Sequence, residues 1–325
     1  MPFLSFKETK GSTPIAIVRG GPDANRVVYL NPAIKSDKDD SLRTEVEYDD
    51  IEHSLKGKSK EYQAKIYELV ERGVKCNWSD DFLEDESKST VKLINKIRND
   101  VTSNIQIKLP PGSTFEVLPT IDPKKRDTVF LFGCANSGKS YFVKHFAQNY
   151  NRVWAGKKKI YLISELEEDE TLDSANCKIH RINIKSLVAD PIDLNSGEFE
   201  SCLFIFDDYD TLKNTKEEPL YTVVLELINK VLIMGRHQNI SCCIISHFGA
   251  NGNKTRLILT ESQLITVYPF GASKHSIEYV LCKHVGLDKK DVKDIKKLGS
   301  RWVSISKNYP QYLVSESIVK ILNTD

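Results

Sequence analysis

One stretch, residues 128–150, constrains the fold more than any other part of the chain. An apolar run from Val129 to Phe132 predicts a buried strand, and it leads into Gly133-Cys134-Ala135-Asn136-Ser137-Gly138-Lys139-Ser140. These eight residues have the spacing G-x-x-x-x-G-K-S, and helix-forming residues follow without a break. A strand, a glycine-bearing loop and a helix in this order form a phosphate site. The loop N–H groups surround the anion, and the helix N-terminus adds partial positive charge.

The motif also predicts roles for single residues. The backbone from Gly133 to Tyr141 is expected to hold the phosphates of a nucleotide. Lys139 would reach the β- and γ-phosphates, and the hydroxyl of Ser140 would bind Mg²⁺. The sequence therefore predicts a nucleotide and a magnesium ion in this part of the chain.

A second stretch, SCLFIFDDYD at residues 201–210, predicts the rest of the magnesium site. Its apolar run, Cys202 to Phe206, is typical of a parallel strand buried on both faces, and ligands bind at the carboxyl ends of such strands. With a phosphate loop upstream, Asp207 is the expected partner of Mg²⁺ through its water shell. Asp208 is the expected group that polarises the attacking water.

A third strand is predicted to end in a polar residue. A long amphipathic helix over 219–234 ends at Gly235-Arg236-His237, and the apolar run from Ile240 to Ser246 then ends at His247. A polar residue in this position, beside a phosphate loop, can sense the γ-phosphate. A histidine that only satisfies its hydrogen bonds at a strand end is an equally good interpretation.

Buried-type strands alternate with helices after residue 105, so the sequence predicts an α/β fold. We predict an N-terminal α+β region at 1–104, with a charged insertion at about 35–60, and a phosphate-loop domain at 105–325. Hairpins are expected at 15–30, at 105–118 as a lead-in, and at 302–315 as the closing element. Trp78 and Phe82 are candidate anchors for the insertion.

The composition of the chain limits the classes of function that it can have. The net charge of this 325-residue chain is +1, so any contact with nucleic acid must come from local patches. The seven cysteines show no C-x-x-C spacing, which favours reduced thiols in an intracellular protein. No apolar run approaches the length of a membrane span, and the N-terminus lacks the apolar core of a signal peptide.

The order of these motifs resembles the additional-strand P-loop ATPases, with a RecA-like core in which the polar-ended strand lies between the phosphate-loop strand and the Asp-Asp strand. More closely, it resembles the FtsK–HerA superfamily and, within it, the poxvirus-type genome-packaging ATPases of large and giant double-stranded DNA viruses, which virophages share. The resemblance covers about residues 105–315. The residues that carry it are FLFGCANSGKS, LFIFDDYD, GRHQNISCCIISH and TRLILTESQLITVYP.

Two positions depart from the broader superfamily. Asp208 stands where that superfamily usually has Glu, and His247 stands where it usually has Gln. The poxvirus-type branch tolerates both, so these residues favour that branch. As the residue that activates water, Asp208 reaches less far than Glu would, by one methylene.

The resemblance implies an ATP-driven motor that moves double-stranded DNA into a capsid, in a ring of five or six copies. A neighbouring subunit would supply an arginine, for which Arg236 and Arg256 are candidates, both expected on the catalytic side. A surface or DNA-facing role is an equal alternative for each arginine, and Lys254 and Arg256 would face DNA in the channel. Capsid or portal-like proteins are expected partners, and the expected locations are the host cytoplasm and the virion.

Three alternatives to a packaging motor remain. A HerA-like DNA export or repair translocase has the same motifs, and sequence cannot separate it from packaging. A small-molecule kinase would transfer phosphate to a bound hydroxyl under an arginine-rich lid, which the sequence lacks. A nucleotide switch would bind without turnover.

Overall fold

The computed structural model describes residues 2–32, 55–75, 83, 86–91, 93–94 and 105–322. Most of the charged insertion predicted at 35–60 lies outside these residues. The predicted anchors Trp78 and Phe82 also lie outside them.

A small antiparallel sheet contains strands β1 (Phe3–Ser5), β2 (Thr13–Arg19), β3 (Val27–Asn31) and β5 (Thr114–Val117), in the order β1-β3-β2-β5. The predicted hairpin between β2 and β3 is confirmed. Helix α1 (Lys60–Lys75) buries Ile66 and Leu69 in a separate apolar cluster with Leu55, Leu83 and Ile94.

The large sheet has ten strands. They are β4 (Gln106–Lys108), β6 (Thr128–Phe132), β7 (Ile160–Ser164), β8 (His180–Asn183), β9 (Leu203–Phe206), β10 (Ser241–Ser246), β11 (Leu264–Val267), β12 (Val303–Ser306), β13 (Tyr312–Ser315) and β14 (Ile318–Ile321). The helices between them are α2 (Lys139–Val153), α3 (Glu170–Asp173), α4 (Ser186–Ala189), α5 (Leu220–Met234), α6 (Asn253–Glu261), α7 (Lys274–Val280) and α8 (Lys289–Lys297).

The strand order of the large sheet is β4-β14-β13-β12-β11-β6-β10-β9-β7-β8. The six strands from β11 to β8 are parallel, and the four from β12 to β4 extend the sheet in antiparallel fashion. The phosphate-loop strand β6 lies inside the parallel part and is buried along its whole length. This confirms the predicted α/β class, a mainly parallel sheet with a small α+β region at the N-terminus.

The sheet is covered on both faces, which explains why its central strands β6, β9 and β10 are buried at every position and largely apolar. Successive side chains of a strand point to opposite faces. Phe130 and Phe132 therefore pack in the cluster that contains the apolar sides of α5, α6 and α7. Val129 and Leu131 pack on the other face with α2 and the small sheet.

The predicted lead-in hairpin at 105–118 is wrong, whereas the closing hairpin is confirmed as β12 and β13. Strand β4 pairs with β14 in the large sheet, and β5 pairs with β2 in the small one. Both strands find partners far away in sequence, which a local pattern does not reveal. The small sheet thus takes a strand from beyond residue 104.

All the parallel strands end at one edge of the sheet, which we call the carboxyl edge, and begin at the opposite amino edge. Crossover helices return the chain from the carboxyl edge to the amino edge. Within the described residues, no helix has the length and apolarity needed to cross a membrane.

Candidate active site

The phosphate loop connects β6 to α2 at the carboxyl edge, and its two motif glycines are required by its geometry. Gly138 has φ of +99°, in the left-handed region that favours glycine. Gly133 is buried, and a Cβ there would lie 2.8 Å from Ser137 Oγ and 3.0 Å from Tyr268 Cβ. Cys134, Ala135 and Asn136, between these glycines, are exposed. The tip of the loop is therefore accessible to a ligand.

Lys139 begins helix α2 and folds back over the loop. Its Nζ donates hydrogen bonds to the carbonyl oxygens of Gly133 at 2.9 Å and Cys134 at 3.1 Å. The same nitrogen lies 4.0 Å from Asp208 Oδ1, and the side chain is only 6% exposed. A buried ammonium group is thus held in the loop where the motif places phosphate. Ser140 and the half-exposed Tyr141 follow in the first turn of α2.

The loop is braced by residues that sequence reasoning missed. After β11, the buried Tyr268 donates from its hydroxyl to the carbonyl of Gly138 at 3.2 Å. The carbonyl of Gly271 accepts the N–H of Cys134, and a Cβ at Gly271 would lie 2.8 Å from Ser137 Cβ. The available signal was the turn sequence Tyr-Pro-Phe-Gly at the end of β11, the strand that pairs with β6.

Asp207 follows strand β9 and is buried, with 6% exposure. Its Oδ2 accepts a hydrogen bond from Ser164 Oγ at 3.1 Å. Burial, and next the charge of Asp208, raise the pKa of the Asp207 carboxyl to about 6. A buried carboxylate beside a second carboxylate is stabilised by a cation, so the residues present fit the predicted Mg²⁺.

Asp208 lies between Lys139 and His247. Its backbone is left-handed, with φ of 41°. The Oδ2 atom lies 3.1 Å from Nε2 of His247, while Oδ1 has no hydrogen-bond partner and faces Lys139. The structure therefore brings together three predicted site residues from the ends of three parallel strands, β6, β9 and β10.

Arg236 lies away from this group, and its predicted position on the catalytic side is wrong. Helix α5 starts at the carboxyl edge and runs back, so Arg236 emerges at the amino edge before β10 begins. Backbone bonds fix this position, because Ile240 N donates to Gly235 O and Ser201 N donates to Gln238 O. The exposed Arg236 side chain contacts His237 at 3.4 Å.

Arg256 lies on the carboxyl side, as expected. It is on helix α6 and lines a cavity of about 830 Å³ that also reaches Cys134 and His247. The described residues that line this cavity include no carboxylate. The remaining lining residues are Phe248, Gly249, Ala250, Gly252, Thr255, Leu259, Gly271, Ala272, Ser273, His275, Ser276, Tyr279 and His284.

The strand order and the site together define the class of protein. Strand β10, which ends at His247, lies between the phosphate-loop strand β6 and the Asp-Asp strand β9. This extra strand between the two motif strands characterises the additional-strand P-loop nucleoside triphosphatases.

Comparison with known proteins identifies the family. No family model matches the chain. The chain is 31% identical over 220 residues to "Uncharacterized protein V3" of the Sputnik virophage, a match that covers 67% of this chain and 84% of that protein. The chain therefore belongs to the same family as this virophage protein. The match to a virophage protein agrees with the predicted resemblance, which extends to virophages.

Solved structures are similar only at low scores. The genome packaging NTPase B204 of Sulfolobus turreted icosahedral virus 2, in complex with AMPPCP, has a TM-score of 0.41 and 16% identity. That match covers 62% of this chain and 100% of B204. The pCW3 conjugation coupling protein TcpA has a TM-score of 0.40 and 13% identity, with coverage of 68% and 66%. The class assignment rests on the strand order instead.

Proposed function

We propose that this protein is an ATP-hydrolysing motor that translocates double-stranded DNA and packages a viral genome into a capsid. The observation that carries the proposal is the meeting of Lys139, Asp208 and His247 beside the phosphate loop. A cation for phosphate, a carboxylate with a free oxygen and an imidazole are groups suited to phosphoanhydride hydrolysis. The packaging role comes from the family resemblance that the sequence motifs carry.

In the proposed reaction, Lys139 exchanges its two loop carbonyls for oxygens of the β- and γ-phosphates. Asp208 orients a water molecule and accepts its proton as the water oxygen bonds to the γ-phosphorus. The bond from that phosphorus to the bridging oxygen breaks, and ADP leaves. Ser140 and Asp207 would hold Mg²⁺, which supplies positive charge to the phosphates.

The proposed assembly is a ring of five or six copies with ATP at the subunit interfaces. Arg236 lies at the opposite edge from its own phosphate loop, so any action on ATP would be on the neighbour's. Arg256 lies on the carboxyl side and would serve either an interface or DNA. Lys254, whose Nζ lies 4.9 Å from the centre of the Tyr221 ring, is the proposed second DNA contact. Such contacts to phosphates would be independent of sequence and weakened by salt.

ATP hydrolysis measured with and without duplex DNA is the test of the motor. We expect duplex DNA to stimulate ATP hydrolysis. We expect high salt to remove this stimulation. Binding of ATP without turnover would favour the nucleotide switch. Transfer of the phosphate to a hydroxyl compound would favour the kinase. A rate of ATP hydrolysis that does not change when duplex DNA is added would contradict translocation.

Mixing of variant subunits tests the ring and its arginine. Lys139→Ala subunits still carry both arginines, whereas Arg236→Ala subunits retain an intact phosphate loop. In a mixed ring, some interfaces join an intact loop to an intact arginine, so part of the activity should return. Mixing Lys139→Ala subunits with Arg256→Ala subunits tests the second candidate arginine in the same way. If both variants assemble and no activity returns, the arginine concerned does not act between subunits.

A further inference from the structure

Asp210, two residues beyond Asp208, is bound to the strand that carries His247. Its Oδ2 accepts hydrogen bonds from three donors of β10 and the loop after it. The donors are Ser246 Oγ at 2.7 Å, His247 N at 2.9 Å and Phe248 N at 3.2 Å. Two successive backbone N–H groups that converge on one carboxylate oxygen form a strong anion-binding arrangement.

Asp208 and Asp210 belong to the same rigid turn. A 3₁₀ turn spans Tyr209–Thr211, and the N–H of Thr211 donates to the carbonyl of Asp208 at 3.0 Å. Tyr209, between the two carboxylates, is buried and stacks on Tyr221 of α5. Because the turn is anchored in the core, the two carboxylates keep a fixed relation to each other.

His247 is therefore attached to this turn at two points. Its backbone N–H donates to Asp210, and its imidazole Nε2 lies 3.1 Å from Asp208 Oδ2. Without the hydrogen bond to Asp210, the backbone at His247 would be less restrained. The distance from its imidazole to the Asp208 carboxylate would then be less restrained as well. Just beyond, Gly249 packs so closely that a Cβ would lie 2.4 Å from the Phe132 ring. The loop to α6 thus leaves this point in a defined direction.

The same contacts make Asp210 less suited than Asp208 to activate water. Three donors occupy Oδ2 of Asp210, whereas Oδ2 of Asp208 contacts only His247 Nε2 among the described side chains. The Asp208 side chain is also 37% exposed.

We propose that Asp210 is a positioning residue, which holds the backbone at His247 and Phe248 so that the imidazole stays on Asp208. It links the Asp-Asp turn to the loop that leads into α6, and so connects the hydrolysis site with the Gly249–Arg256 segment. The role in turnover rests on the proposed ATP hydrolysis, whereas the positioning itself does not.

The test uses Asp210→Ala in the full chain, with Asp288→Ala as the matched control. Asp288 also accepts a backbone N–H, that of Asp291 at the start of α8, but remote from the site. Hydrogen–deuterium exchange should become at least roughly tenfold faster at the His247 amide in Asp210→Ala, since it loses its acceptor, and should change less at the Phe248 amide, which also donates to Ser246 Oγ. The control should leave these amides unchanged. Unaltered exchange in Asp210→Ala would overturn the proposal, whether or not the protein hydrolyses ATP.

Turnover gives the second readout. We expect Asp210→Ala to lower kcat on the order of 10–100-fold, with the KM for ATP within about threefold. The double variant with His247→Ala should be no slower than the slower single variant, because both changes remove one imidazole contact. If the kcat losses of the two single variants multiply in the double variant, Asp210 does not act through His247. If Asp210→Ala does not fold, Asp210→Asn keeps an acceptor and should show the same coupling with smaller losses.

Discussion

Each of the two edges of the parallel sheet holds side-chain cations close to carbonyl oxygens, but the partners differ. At the amino edge, Arg126 donates to the carbonyls of Val231 and Leu232 at 2.6 and 2.5 Å, in the last turn of α5. Lys307 donates in the same way to Leu259 and Thr260 near the end of α6, at 2.7 and 2.8 Å. At the carboxyl edge, Lys139 donates to carbonyls of its own loop instead.

The direction of the helices explains this difference. Crossover helices end at the amino edge, where their last carbonyls lack partners and attract cations. Arg126 and Lys307 donate hydrogen bonds to those carbonyls. Helix α2 begins at the carboxyl edge, where free N–H groups attract anions, and the cation there is held by contacts that a phosphate can replace. One edge thus stabilises the fold, and the other keeps groups free for a ligand.

Gly235 shows how tightly the amino edge is packed. A Cβ at this position would lie 2.4 Å from the carbonyl oxygen of Val231 and 2.7 Å from Arg126 Nη1. The glycine in Gly235-Arg236-His237 is therefore required mainly by the close approach of the Val231 carbonyl, which Arg126 also contacts. That requirement is independent of what Arg236 does.

The largest expected effect is at the carboxyl edge. Lys139→Ala should lower ATP hydrolysis by about 10³-fold or more, because the γ-phosphate charge is no longer compensated. Its melting temperature should stay near that of the parent, since the two carbonyls that lose the ammonium group belong to a loop and not to a helix end. Lys307→Ala is the matched control from the amino edge and should lose stability while turnover per folded molecule persists. Parent-like hydrolysis by Lys139→Ala would contradict the phosphate-loop assignment.

The two adjacent carboxylates should separate into two roles. Asp208→Asn should reduce turnover by about 10²–10⁴-fold with nucleotide and Mg²⁺ binding retained, because it loses the proton acceptor and keeps the size. Asp207→Asn should instead raise the Mg²⁺ concentration needed for half-maximal activity. Magnesium titrations of both variants distinguish these outcomes. Normal hydrolysis by Asp208→Asn would exclude it as the base.

At the amino edge, the expected loss is of stability. Arg126→Ala should lower the free energy of unfolding by about 2–3 kcal/mol, because two carbonyls at the end of α5 lose a charged donor. Denaturant unfolding measures the change, with Lys124→Ala in the same exposed loop as the control. An unchanged free energy of unfolding in Arg126→Ala would contradict a stabilising role of the amino edge. A loss of hydrolysis at temperatures where the variant is folded would contradict a role limited to stability.

The smallest effect is a gain of stability at the carboxyl edge. In the absence of Mg²⁺, Asp207→Asn should be more stable than the parent at pH 8, on the order of 1–2 kcal/mol. Burial raises the pKa of Asp207 to about 6, so its ionised form opposes folding above that pH. The gain should vanish as the pH falls toward 4, where the carboxyl is protonated in the folded state.

Thermal unfolding in EDTA at pH 8 and pH 4.5 measures this gain. Asp190→Asn, at an exposed position, is the control. If Asp207→Asn is less stable than the parent at pH 8, the buried carboxylate contributes to the fold, and the two edges do not differ in this respect.

Much of the fold was predictable because its signals are local. The central parallel strands are short, largely apolar runs that are buried along their length, and the longer helices between them have clear amphipathic periodicity. In the sheets, the wrong predictions concern which strands pair with each other, not where the strands occur in the sequence. β4 and β5 were recognised as strands but assigned to each other, since their true partners, β14 and β2, lie far along the chain.

The sequence by itself determined the phosphate loop, the Asp-Asp strand and the polar strand end, because each is a contiguous stretch whose chemistry is complete within about ten residues. Only the tertiary structure decided how these stretches meet. It placed Asp208 within 3.1 Å of His247, bound Asp210 to the β10 end, and set Tyr268 beneath the loop. It also moved Arg236 to the amino edge. These relations depend on strand order and on packing between residues distant in sequence, which no local pattern encodes.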